Sequence, residues 1–254
     1  MFMGGRQDPE AVYSSVSVRH RVWIFPRFTP GISEYLSLSF TARGYSRKDI
    51  ILVMYSFFAT ISRMKYIERW ALMRNSRPEN LSEHALDVAS IAHALCVIGN
   101  IRYGRQLNAE RAAMLGLYHD ATEIITGDLP TPVKYHSSRI RQAYGMVEEA
   151  AAERLLGLLP EDLRESFEEI LLPAKEGDDL SDSEIYLRRL VKAADKLSAL
   201  IKCIEEENAG NAEFRTAKVS TASMIHTLSE ELPEVRDFCR DFLPAYGRTL
   251  DELL

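Results

Sequence analysis

The chain has 254 residues, 46% of them hydrophobic, and a formal net charge of -6. That length supplies one sizeable core, or two small ones. The acidic balance gives no broad electrostatic attraction to a nucleic acid polymer, so none is expected as a partner.

Residues 1 to about 48 carry Gly, Pro and Ser interruptions and no sustained period, with short β-like pieces between Val16 and Phe25. They lack the ordered regions of a signal peptide. Residues 1–53 read as a flexible extension, or as a stretch ahead of a true translation start at Met54; the alternative is an independent N-terminal domain. "DIILVMYSFFATI" is shorter than the roughly 18 apolar residues of a membrane span, and no other run reaches that length, so no membrane association is expected.

From Met54 the pattern turns helical. Residues 54–67 place Phe57, Phe58, Ile61, Met64 and Ile67 at helical spacing, and residues 82–98 do the same with Ala85, Val88, Ala89, Ala92, Leu95 and Cys96. Asn108 is a good N-cap for a helix over 109–125. Residues 138–158 are rich in Ala, Glu and Leu. Pro160 opens a helix over 161–171, and Pro173 follows its end. "EGDDLSDS" (Glu176 to Ser183) is an acidic loop. Ser181 with Glu184 resembles a capping box. It opens a long helix to about Asn208, stopped by Gly210. Helices over 211–230 and 234–243 complete the chain. Strand signals are almost absent after residue 54, so the class is all-α, with residues 54–254 as one helical domain. Cys96, Cys203 and Cys239 lie far apart without CxxC spacing and read as reduced, buried thiols of a cytosolic protein.

Several polar residues fall on apolar helix faces, where burial is costly unless they are paired or bound to metal. His84 shares a face with Val88, Ile91, Ala92 and Leu95. His119 shares one with Ala112, Leu115 and Glu123, and Asp120 follows it directly. Adjacent helix residues diverge by about 100°, so both reach one atom only if it lies in a groove against another helix. Asp195 lies on a stripe with Leu187, Val191 and Ser198. Each has a plainer reading: a hydrogen-bonded core histidine for His84, a salt bridge to Arg188, Lys192 or Lys196 for Asp195. One divalent cation bound by His84, His119, Asp120 and Asp195 accounts for all of them together. Two imidazoles and two carboxylates suit Mn, Co, Fe or Zn better than Ca.

Three stretches carry a resemblance: "FFATISRMKYIERWALMRNSRPENLSEHALDVASIAHAL", "NAERAAMLGLYHDATEIITGDLPTPVKY" and "LVKAADKLSALIKCIEEENAGNAEF". They resemble the HD-domain metal-dependent phosphohydrolases and, within that superfamily, the bacterial 5′-deoxynucleotidases. The resemblance runs from about Tyr55 to the C-terminus and leaves out residues 1–53. The acidic loop near Gly177 departs from it by its length, which makes the spacing to Asp195 atypical.

The resemblance implies a helical HD-domain bundle, a cytoplasmic homodimer, and hydrolysis of 2′-deoxynucleoside 5′-monophosphates to deoxynucleoside and phosphate. It implies the same metal ligands, His84, His119, Asp120 and Asp195. It makes Arg69 the holder of the substrate phosphate, Trp70 the wall that crowds the sugar 2′ position, and Glu123 and Asp128 catalytic carboxylates, Asp128 lying near the sugar and leaving group. Residue by residue the plainer readings are a solvated helix-end charge for Arg69, a core side chain for Trp70 and an exposed turn residue for Asp128. Lys134 reads as a solvated surface lysine. The rival functions are a nucleoside triphosphate triphosphohydrolase or phosphodiesterase on the same scaffold, and a catalytically silent nucleotide-binding module.

Overall fold

Helix α1 (Phe57–Ile61) buries Phe57 and passes directly into a 3-10 turn, Ser62–Tyr66, that buries Met64. The sequence predicts one helix here; the chain tightens instead and leaves at Ile67 in extended backbone, φ -100° and ψ 111°. Ile67 thereby feeds strand β1 (Glu68–Arg69), which pairs antiparallel with β2 (Glu79–Asn80), Arg69 opposite Glu79. The sequence reading missed this ladder, because two residues are too few for alternation to show. The computed structural model describes residues 54–134, 136–172 and 180–254. The expectations for residues 1–53, for Pro173 and for the first half of the acidic loop lie outside the described residues.

Asn80 ends β2 and caps helix α2 (Leu81–Tyr103). Its side-chain oxygen accepts the backbone N–H groups of Ser82 and Glu83, and the Glu83 carboxylate accepts the Asn80 N–H. This reciprocal box satisfies donors that a helix start leaves open. α2 ends at Gly104, whose φ of 65° is left-handed. By length and composition α2 could cross a membrane, although Glu83, His84 and Asp87 interrupt its apolar run. Here Val88, Ile91, Ala92, Leu95 and Cys96 of α2 are buried in the main core.

Helix α3 (Ala109–Tyr118) is capped by Asn108, whose side chain accepts the Arg111 N–H. It crosses α2 so closely at Gly116 that a Cβ there would stand 2.9 Å from the Ala89 Cα and 3.0 Å from the Ala89 nitrogen. Backbone, unlike a flexible side chain, has little room to yield. Gly116→Ala is therefore expected to cost about 1–3 kcal/mol by overpacking, lowering the unfolding temperature by roughly 2–10 °C for a chain of this size. Differential scanning calorimetry reads the shift; an unchanged transition would show that the crossing can open freely.

The sequence predicts that this helix continues to 125. Instead it stops at Tyr118 and resumes as a short α4 (Glu123–Thr126). The His119 ring takes the Gly116 carbonyl at 2.7 Å, the acceptor that the next helical N–H, of Asp120, would use. Between the helices Ala121 bonds back to Tyr118 and Glu123 to Asp120, three residues apart, as in a 3-10 turn.

After α5 (Thr131–Lys134), helices α6 (Ser138–Leu156) and α7 (Glu161–Leu171) surround a second cluster of Phe57, Ala121, Leu155, Leu156, Leu159 and Leu171. Helix α8 (Asp182–Asn208) starts as expected, Ser181 accepting the Glu184 N–H. The return half of the predicted capping box is replaced: the Glu184 carboxylate binds Arg111 and Arg188. The chain turns at Gly210, φ 81°, and passes a 3-10 turn, Ala212–Phe214, into α9 (Arg215–Glu231), α10 (Pro233–Asp241) and α11 (Leu250–Leu253). The main core joins α2, α3, α8, α9 and α10. Cys96 and Cys203 are buried free thiols; Cys239 is half-buried, against expectation.

The C-terminal end of α8 also holds the connection between β1 and β2. The buried Glu206 carboxylate accepts the N–H groups of Ser76 at 2.8 Å and Arg77 at 3.3 Å, the Asn211 amide at 2.7 Å, and the Lys202 ammonium. Lys202 donates to the Arg77 carbonyl as well, at 2.5 Å.

Candidate active site

Three elements converge beside the α2–α3 crossing. α2 brings His84, the turn after α3 brings His119 and Asp120, and α8 brings Asp195. The two imidazole centroids are 5.1 Å apart. His84 Nε2 lies 3.2 Å from Asp195 Oδ1 and 3.6 Å from Asp120 Oδ2; His119 Nε2 lies 3.0 Å from Asp120 Oδ2 and 4.0 Å from Asp195 Oδ1. The structure thus gathers all four residues that the sequence grouped. It does so by breaking the predicted helix, since the tight turn lets the adjacent His119 and Asp120 aim at one point.

The protons on the two rings follow from their other nitrogens. The Gly116 carbonyl can only accept, so His119 Nδ1 carries the hydrogen and Nε2 is left with a lone pair in the neutral ring. His84 Nδ1 meets the Ser198 hydroxyl at 3.0 Å, with the Glu79 carboxylate 3.6 Å away on the same side. That carboxylate favours a hydrogen on Nδ1, and again Nε2 is free. Both Nε2 atoms are buried without a hydrogen-bond partner, although carboxylate oxygens stand within reach. Lone pairs and anions facing each other with nothing between them are unfavourable unless a cation joins them. The donor set fits a divalent metal, with Gly116 and Ser198 holding the rings from behind.

The titration behaviour agrees. Burial and the neighbouring Arg69 hold His84 below its ordinary range. Burial opposes charge on His119 too, but Asp120 and Asp195 outweigh it and raise the ring to about 9. Asp195 stays ionised against its burial, held down by His84, Lys196 and His119. Its second oxygen accepts from Lys196 at 2.9 Å, so the salt bridge expected as the plainer reading coexists with the inward-facing oxygen.

Glu123 is buried just past the turn, and its Oε2 has no hydrogen-bond partner. Burial first, then the charges of Asp120 and Asp128, push its carboxyl up to about 9. Asp128 is half-buried, not an exposed turn residue. Burial raises it, while Arg69 and a hydrogen bond from the Trp70 N–H pull it down.

Arg69 is far from a solvated helix-end charge. Its guanidinium donates to Glu79 Oε1 at 3.0 Å, and its side chain is 12% exposed. Burial works against its charge, but Glu79, Asp195, Asp120 and Asp128 together raise its pKa. Trp70 donates its indole N–H to Glu79 Oε2 at 3.0 Å and packs on Phe214, centroids 5.3 Å apart. It is half-buried, so it is neither a fully enclosed core residue nor free. Lys134 is half-buried and bound to Glu148 at 2.8 Å, its ammonium 4.7 Å from the Tyr144 ring centre, so it is not a solvated surface lysine.

The sequence reading passed over Glu79, which sits in a stretch with no helical period. Ser198 was on the Asp195 stripe, but a serine there carries no sign of the ring it holds. Gly116 could have been found as a glycine inside a predicted helix, a position that asks for a packing reason.

The profile of the 5′-deoxynucleotidase YfbR-like family matches residues 56–246. A 5′-deoxynucleotidase of Photorhabdus temperata is 47% identical over 201 residues, covering 79% of this chain and 97% of that protein. One from Yersinia pseudotuberculosis is 46% identical over 204 residues, with the same shares, 79% and 97%. Among solved structures, an HD-domain phosphohydrolase from Listeria innocua superposes with a TM-score of 0.63 at 24% identity, covering 75% of this chain and 88% of that one, a likeness of fold. With a matched span that takes in every residue of the site just described, the chain belongs to the 5′-deoxynucleotidase YfbR-like family.

Proposed function

We infer that the protein is a metal-dependent 5′-deoxynucleotidase, a phosphoric monoester hydrolase that converts 2′-deoxynucleoside 5′-monophosphates to deoxynucleoside and phosphate. The observation that carries this reading is the clustering of His84, His119 and Asp120, with Asp195 3.2 Å from His84, beside the buried cation of Arg69, in a chain whose relatives are 5′-deoxynucleotidases along nearly their whole length.

A phosphate monoester dianion repels an incoming nucleophile, so its charge must be offset. A bound divalent cation supplies Lewis-acid charge at the phosphoryl oxygens and acidifies water. Mn, Co, Fe or Zn suits this donor set. Arg69 pairs with phosphate oxygens through its fork of N–H groups and orients the ester. Glu123, buried just past the metal-binding turn, orients the attacking water, or takes a proton from it where a bound cation offsets the carboxylates that hold Glu123 protonated. Asp128 faces the sugar side, where it holds the 3′-hydroxyl or assists departure of the 5′-oxygen. Trp70 closes the 2′ side of the sugar. On the family resemblance the enzyme works as a cytoplasmic homodimer, with residues 54–254 as its catalytic domain.

A phosphate-release screen of deoxy- and ribonucleoside monophosphates with each metal tests this reading. Pyrophosphate or triphosphate release from nucleoside triphosphates, without monophosphate turnover, would replace it by the rival hydrolase. Trp70→Ala is expected to narrow the deoxy-to-ribo ratio of kcat/KM about tenfold or more, since the extra hydroxyl no longer meets the indole. Its melting temperature should be measured alongside, because Trp70 also packs on Phe214. An unchanged ratio would make Trp70 a packing residue alone.

A further inference from the structure

We propose that Glu79 is the positioning residue that ties the phosphate grip to the sugar wall, holding Arg69 and Trp70 with one buried carboxylate. The proposal rests on the roles given above to those two residues, and it adds a third side chain, one that also stands 3.6 Å from His84 Nδ1.

The geometry starts from the short ladder. Arg69 and Glu79 are directly opposite in the antiparallel pair, so their side chains leave on the same face. The residue after Arg69 would point to the other face if the strand continued. It does not continue: Trp70 has φ 58°, the left-handed region, unusual for any residue with a side chain. That turn returns the indole to the side of Glu79. Its carbonyl accepts the Met73 N–H at 2.8 Å and the Asn75 amide at 3.3 Å, which hold the turn closed.

Glu79 therefore has both oxygens committed, Oε1 to the Arg69 guanidinium and Oε2 to the Trp70 indole, each at 3.0 Å. The residue is 8% exposed, so water is a poor substitute for either bond. The guanidinium is planar and presents several donors. With one edge fixed on Glu79, its remaining N–H groups face a defined direction, toward the ester phosphate in the proposed site. The same anion sets the plane of the indole that stands against the sugar. Phosphate binding and sugar discrimination then share one hinge, and loosening Glu79 loosens both.

The test compares Glu79→Gln, Glu79→Asp, Arg69→Ala and Trp70→Ala, with the double variants Glu79→Gln/Arg69→Ala and Glu79→Gln/Trp70→Ala. The probes are 2′-deoxyadenosine and adenosine 5′-monophosphates, read by phosphate release, with metal content and unfolding temperature measured on each protein. A glutamine offers one acceptor and one donor, so it can keep only one of the two bonds. The expected result for Glu79→Gln is a tenfold or larger rise in KM and a fivefold or larger fall in the deoxy-to-ribo ratio of kcat/KM, at unchanged metal content. Added to Arg69→Ala it should raise KM less than threefold further. Added to Trp70→Ala it should leave the ratio where Trp70→Ala put it.

Full multiplication of the single effects, or loss of one property without the other, would overturn the coupling. Should Glu79→Gln fail to fold, Glu79→Asp, which keeps the charge but is one methylene short of spanning both partners, must show the same double loss; wild-type behaviour in it overturns the proposal. If Arg69→Ala and Trp70→Ala themselves change neither KM nor the ratio, the reading of the site falls and this proposal with it. If they do and the Glu79 variants do not, the proposal alone falls.

Discussion

Asp120→Ala is expected to abolish metal binding and to lower turnover by on the order of a thousandfold or more, equivalent to about 4 kcal/mol of transition-state stabilisation, while the fold survives. Asp120 Oδ2, like Asp195 Oδ1, approaches both imidazoles, and it lies closer to His119, at 3.0 Å, with His84 at 3.6 Å. Its removal takes away a carboxylate that bridges the two rings, whereas the turn around it is held by backbone bonds from Ala121 and Glu123. Metal analysis of the purified variant, beside its circular dichroism, separates loss of the site from loss of structure. A variant with stoichiometric metal and full activity would mean that the ligand set is wrong.

Glu206→Ala is expected to be the most damaging change to stability outside the site, by about 3–5 kcal/mol, because it strands a buried Lys202 ammonium without its counter-charge. It also releases the N–H groups of Ser76 and Arg77, so the connection from Trp70 to Glu79 loses its anchor. A rise in KM should then accompany the fall in melting temperature. The same carboxylate gives a pH dependence. Burial opposes its charge, but Lys202, Asn211 and the two backbone donors outweigh burial and hold it down to about 2, from an ordinary 4.5. A depressed carboxylate contributes stability that is complete above its unfolded pKa and lost as pH falls through its folded one. This contribution should therefore fade between about pH 4.5 and pH 2. Denaturant unfolding of wild type and Glu206→Gln across that window should show curves that converge toward the acid end; a constant gap would assign the stability to packing around the side chain.

The quartet of His84, His119, Asp120 and Asp195 was legible in the sequence because hydrophobic periodicity makes a buried carboxylate or imidazole stand out. His84 and Asp195 follow that rule on continuous helices. His119 and Asp120 were found for a partly mistaken reason: the helix that was to carry them breaks at His119, whose ring competes for the Gly116 carbonyl. Side-chain capture of backbone acceptors is local chemistry that a period does not register. Arg69 and Trp70 have no periodicity to betray them, and only the family resemblance singled them out. Their surroundings, a ladder of two residues and a left-handed tryptophan, are decided by tertiary pairing with Glu79 and by the clamp from α8. The helices themselves were read with ends mostly within a few residues, since caps at Asn108, Ser181 and Gly210 are written in the residues.

Trp70 sets a backbone cost against contacts that only its indole makes. A left-handed backbone costs a residue with a side chain roughly 1–2 kcal/mol that glycine does not incur. The indole offsets that cost by packing on Phe214 and bonding Glu79, and a glycine at this position would lose both while leaving the helices, the four proposed metal ligands and the arginine in place. The protein would also have lost the feature proposed to tell a DNA precursor from an RNA precursor. Relieving the strained backbone here would thus sacrifice contacts and proposed selectivity together, and stabilising libraries built on this chain should hold position 70 fixed.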